Sequence, residues 1–93
     1  MKLAIIMEPS GNGAVYKDKV SYLELTLPTV PANVHALQWK DTSGHIEFKD
    51  MSANEIISEL PAWTDNALAA WQTEKEKVAA EEAKAEEARI AAL

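Results

Sequence analysis

The chain contains no cysteine. That excludes a disulfide scaffold and any thiolate metal site, and it suits a cytosolic protein. Long apolar runs are missing too. No stretch approaches the ~20 residues of a membrane span. The apolar start, Met1 to Met7, is too short for a secretory leader, and no small-residue cleavage site follows it. Basic residues are outnumbered, nine Lys and Arg against fifteen Asp and Glu, for a net charge of −6. A negative balance argues against binding a phosphate backbone. Before residue 64 the only basic residues are Lys2, Lys17, Lys19, Lys40 and Lys49, with acids between them and no basic-aromatic stripe. Glycine and proline are absent from residues 64 to 93, although the first 61 residues hold three Gly and four Pro. The 93 residues fit one small domain, close to the size at which a single core becomes marginal.

What is present divides the chain in two. Residues 1 to 63 read as a small antiparallel β domain. Residues 64 to 93 read as an Ala/Glu/Lys-rich helix, built from good helix formers. The fold class expected is α+β: a hairpin or meander sheet, then one long C-terminal helix that packs on it with its first two turns. The −6 charge is spread evenly over the parts, five bases against eight acids in the first and four against seven in the second.

Within the β part, Leu3 to Met7 is a short apolar run that Pro9, Gly11, Asn12 and Gly13 end with turn chemistry. A second strand follows over Ala14 to Lys17, with Asp18-Lys19 as a tight turn. From Val20 to Leu27 a period-two pattern sets Leu23, Leu25 and Leu27 on one face and Tyr22 and Glu24 on the other. Pro28 and Pro31 stop it. The strongest signal is a hairpin, Val34 to Lys40 and His45 to Asp50, around a four-residue turn Asp41-Thr42-Ser43-Gly44. Pairing Lys40 with His45 sets Trp39 opposite Ile46 and Leu37 opposite Phe48. All four apolar side chains then share one face, and a one-residue slip would break that agreement. Glu55 to Leu60 reads equally as a last short strand or a helical turn.

The helix can start at Pro61, Thr64 or Asp65. Trp63, Ala67 and Trp71 recur at intervals of four and give one apolar face, suited to lying on a sheet. Trp39 and Trp63 are core candidates. Trp71 is core by default, and tryptophan is also a frequent interface anchor. Further on, Lys77–Glu81, Glu74–Lys77, Glu81–Lys84 and Glu86–Arg89 are spaced for pairs worth a few tenths of a kcal/mol each. Val78, Ala85 and Ala92 keep a seven-residue spacing, and Ile90 and Leu93 add late apolar surface. So alanine-rich a stripe makes a weak coiled coil. Two readings stand: a solvated helix that frays, or a helix ordered against a partner or a second copy. In the second, the contact residues are Trp71, Val78, Ala85, Ile90 and Leu93.

Catalytic patterns are scarce. Of the two histidines, His45 lies two residues from Glu47 on one strand face, a pair that could share a metal ion but lacks further ligands. Gly11-Asn12-Gly13 begins like a dinucleotide fingerprint, but Tyr16 stands where the third glycine belongs and no helix pattern follows. There is no phosphate-binding Walker sequence and no nucleophile elbow. The expectation is a non-enzymatic protein with no cofactor, no metal, no nucleic acid and no membrane partner.

The block Asn33-Val34-His35-Ala36-Leu37-Gln38-Trp39-Lys40, followed by a glycine-containing turn, His45-Ile46-Glu47-Phe48 and Asp50, resembles a module of small proteins from tailed bacteriophages. Asn54-Glu55-x-Ile57-x-x-Leu60-Pro61-x-Trp63, leading into an Ala-rich helix, is similar to the second half of that module. The likeness covers residues 14 to 72. It departs at Lys40, where an aromatic is often found, and the strand before Glu8 reads as an elaboration of this chain. The resemblance implies a tail-fibre assembly chaperone or a small tail-associated structural protein that acts by protein–protein contact. Its partner would be a tail-fibre or other tail protein, or a second copy through the C-terminal helix. Its place would be the cytoplasm of the infected bacterium or the virion tail. The alternative is an acidic phage inhibitor of a host or defence protein.

Overall fold

Turn chemistry sets the sheet. A computed structural model describes residues 1–91, apart from the side chain of Arg89. Strands β1 (Lys2–Met7) and β2 (Asn12–Lys17) are joined by a turn in which Gly11 takes φ +92° and the Glu8 amide donates to the Asn12 carbonyl at 2.8 Å. Asp18 and Lys19, both at positive φ, turn β2 into β3 (Val20–Thr26) with a two-residue loop of the kind that matches strand twist. Asp41 at φ +57° joins β4 (Val34–Lys40) to β5 (Ser43–Phe48), and β6 (Glu55–Ile57) completes the sheet. All pairings are antiparallel and the order is β3-β2-β1-β4-β5-β6. One helix, α1 (Thr64–Ala91), follows. The architecture is α+β, with the helix packed on the sheet.

β1 is not a peripheral addition. It lies at the centre, with β2 on one side and β4 on the other. Alternation along it decides the two faces. Leu3, Ile5 and Met7 are buried and Ile6 is exposed. Ile5 sits between Val15 and Leu37, and Leu3 is opposite Trp39. These side chains, with Leu25, Leu27, Val34 and Ile46, form the core. Val30 and Leu60 from the connecting loops, with Trp63, pack against it. Gly13 is required here: a Cβ would come within 2.8 Å of Met7 Sδ and 2.9 Å of the Leu27 side chain. β2 begins at Asn12, two residues before the expected Ala14.

Two strand expectations need correction. The β4–β5 hairpin pairs Lys40 with Ser43 and Leu37 with Ile46, not Lys40 with His45. The turn is the two residues Asp41-Thr42, not four. The shift is by two residues, so period-two alternation keeps Leu37, Trp39 and Ile46 on the buried face. Gly44 then falls opposite Trp39, where a Cβ would run into the Gln38 carbonyl. Phe48 faces Val34 across a register shift, and it is half-buried. In β3, Leu23 does not join Leu25 and Leu27. It is 63% exposed, because a bulge opposite Ala14, with Glu24 at φ +56°, reverses the alternation and turns Tyr22 inward.

The long connection after β5 is tied to the loop before β4. The Lys49 amide donates to the Asn33 carbonyl at 2.8 Å, and Asn33 Nδ2 donates to Asp50 at 3.3 Å. The Ser52 hydroxyl and amide both donate to the other Asp50 oxygen. Hydrogen bonds from the Ser52 hydroxyl, then from its amide, hold the Asp50 carboxyl below its ordinary value of 3.8.

Two tests follow from this packing. Ile5→Ala should lower unfolding free energy by about 2–5 kcal/mol. Ile56→Ala, on a side chain 79% exposed, should change it by under ~0.5 kcal/mol, both read from denaturant titrations. A carboxyl with a depressed folded pKa contributes stability above its unfolded value and loses it as pH falls through the folded one. The Ser52 amide resonance should therefore titrate with a midpoint below the ordinary value of 3.8, and Asp50→Asn should abolish that titration.

Candidate functional site

Two surfaces are built by this fold, one on the helix and one on the sheet. Thr64 starts the helix fully buried, and its hydroxyl donates to the Pro61 carbonyl at 2.7 Å. The Thr29 hydroxyl donates to the Trp63 carbonyl at 2.9 Å, fixing the helix entry to the loop after β3. Ala67 is fully buried. Trp71, two turns in, is 4% exposed. Its Nε1 donates to the Val20 carbonyl of β3 at 3.1 Å, and its ring lies 5.9 Å from the Tyr22 ring. Lys17 Nζ from β2 and Lys75 Nζ from the next helical turn sit 4.7 Å and 5.2 Å from the indole centroid. Each such contact is worth about 0.5–1 kcal/mol at a surface. Trp71 is thus engaged by its own sheet, as a core tryptophan.

Beyond Trp71 the docking fades. Val78 is half-buried, and every described side chain from Ala79 onward is exposed. Ala85 is exposed, and so is Ile90, at 58%. Leu93 and Ala92 lie outside the described residues. Residues 79–91 thus form an arm about 20 Å long at ~1.5 Å per residue. The molecule measures 59 × 29 × 18 Å, and the 28-residue helix spans about 42 Å at ~1.5 Å per residue. Three of the four expected helix ion pairs, Lys77–Glu81, Glu74–Lys77 and Glu81–Lys84, are not formed, while Gln72 Nε2 donates to Glu76 at 3.2 Å.

The second surface is the sheet face turned away from the core. Among the described residues the helix packs on β3 and β2 from the core side, leaving this face open. At the end bearing the Asp18-Lys19 turn it holds a hollow of about 540 Å³. Ala4, Tyr16, Gln38 and His45 line it, with Lys2, Lys19 and Lys40 around them. Lys2 lies directly opposite Lys40 across the β1–β4 ladder. Like charges in that position destabilise a sheet. One acid, Asp18, lines the hollow too, and each nearby acid has a partner other than these lysine side chains. Asp18 accepts from the Lys2 amide at 2.9 Å, Asp41 from the Met1 nitrogen at 3.1 Å, and Glu47 faces His45 at 3.5 Å. None of the three lysines is ion-paired among the described residues. Read along the chain these lysines are scattered. Only the β1–β4 pairing brings Lys2 and Lys40 together, and no local sequence signal announces it.

His45 and Glu47 do share the open face, as their spacing requires. Among the described residues no group of three or more metal-ligating side chains comes together, and no helix is long and apolar enough to cross a membrane. Comparison with protein-family models, with curated proteins and with solved structures gives no match.

The Trp71 anchor can be checked directly. Trp71→Phe keeps an aromatic ring but loses the Val20 hydrogen bond, and should cost about 1 kcal/mol. Trp71→Ala should cost about 3–5 kcal/mol in a denaturant titration. It should also speed protease cleavage within residues 64–78. Unchanged cleavage would mean that something other than Trp71 holds the helix down.

Proposed function

We propose that the protein works without catalysis, by protein–protein contact, in assembling the tail fibre of a tailed bacteriophage. It acts there as a chaperone or as a small tail component. The observation that carries the contact reading is the arm. A helix anchored by Trp71 continues for residues 79–91 with no sheet beneath it. A helix of 28 residues without glycine or proline is a rigid way to present a surface away from the body that holds it. The phage setting rests on the likeness of residues 14 to 72 to the small tail-protein module. The β domain serves as the folded platform, and the arm meets the partner.

Co-expression with a tail-fibre protein from the same phage tests this. The fibre protein should co-purify with the full chain, and Ile90→Asp on the arm should weaken capture about tenfold without changing the melting temperature. A fibre that folds normally without this protein, and forms no complex with it, would sink the reading. Presence at fixed stoichiometry in purified virions would select the tail component over the chaperone.

A further inference from the structure

We infer that the lysine-rimmed hollow on the open sheet face receives the acidic C-terminal arm of a second copy of this chain, in a reciprocal two-fold dimer. This rests on the arm being a contact element, not on which fibre protein it meets.

Three observations carry it. First, the hollow is short of negative charge. Lys2, Lys40 and Lys19 line it against a single carboxylate, Asp18, which accepts from the Lys2 backbone amide; Lys2 and Lys40 oppose each other with no ion-pair partner among the described residues. A ligand that supplies carboxylates relieves the cross-strand repulsion.

Second, the arm has one face of matching chemistry. Helical spacing puts Ala79, Glu82, Ala83, Glu87 and Ile90 on one side. Arg89 falls at the edge of that side in the helical register, three residues from Glu86, and leaves Glu82 and Glu87 as the carboxylates the face presents. Lys77 and Lys84 lie on the opposite side. Alanines between the glutamates let a helix come close to a flat sheet. The stretch from 79 to 90 is about 18 Å long, enough to cross the ~14 Å from β2 to β5.

Third, the contact must be made in trans. The helix begins among the core residues and lies against β3 and β2 on the core side. It contains no glycine or proline at which to fold back around the sheet edge to the other face. A two-fold pair makes the same arm-to-face contact twice, which is how closed homodimers are built.

Light scattering during size exclusion of the full chain gives the test. Wild type at about 100 µM should run as a dimer, and should dissociate as salt screens the contact. Glu82→Lys/Glu87→Lys and Lys2→Glu/Lys40→Glu should each weaken the dimer by at least about tenfold, because each places like charge against like. All four positions are solvent-exposed, so circular dichroism should show both variants folded. An equimolar mixture should recover the dimer, since reversed arm meets reversed face and native arm meets native face. A monomeric wild type would overturn the proposal. So would a dimer indifferent to Lys2→Glu/Lys40→Glu, which would mean that helix pairs with helix, and so would reversed proteins that fail to combine. None of these outcomes depends on the fibre protein, and capture of that protein decides nothing here.

Discussion

The structure depends on the antiparallel ladder between β1 and β4. Everything else in the sheet is local: β1, β2 and β3 follow one another through short turns, β4 and β5 through another, and β6 returns beside β5 after the longer connection 49–54. Each set is a three-stranded meander with one apolar face. Only the β1–β4 seam joins them, and it aligns the two apolar faces into one. Ile5, fully buried between Val15 and Leu37, sits at that join. A three-stranded sheet alone has little to bury. Six strands give loops and helix enough apolar surface to cover. The same seam brings Lys2 opposite Lys40, so it builds the open face's charge as well as the core.

Trp71 has a comparable role for the helix. Up to it, the helix is part of the core. After it, contact with the sheet dwindles through Val78 and ends. One side chain makes a hydrogen bond, a ring contact and two cation contacts to fix the direction of the whole rod. The exposed arm owes its position to two turns of docking and its rigidity to backbone composition.

Much of this was legible in the chain, for physical reasons that differ by element. The helix was plain, since a segment without glycine or proline and rich in Ala and Glu has few competing conformations. The buried face of β4 and β5 was readable because alternation survives a two-residue shift, although the shift itself was not. Leu23 was misplaced because one left-handed residue, Glu24, inverts the pattern on either side of it, and nothing in a Leu-rich alternation marks a bulge. The rank of β1 was missed altogether. A short apolar run says that it is buried, not what lies beside it. The lysine cluster escaped for the same reason, as its members meet only through pairing between distant segments. The reading that drew on residues 14 to 72 left out the strand on which the sheet is centred.

The β1–β4 seam also orders events during synthesis. The first meander can close as soon as Thr26 has left the ribosome, but β1 then presents a bare edge carrying Ile5 until β4 emerges, on the order of a second or more later at typical translation rates. An unpaired hydrophobic strand edge is a template for pairing with another chain. The vulnerable interval for a nascent molecule falls between those two moments. Crowded ribosomes on one message would set such edges side by side, so slower elongation across residues 27–40 would raise misassembly more than slowing anywhere in the helix.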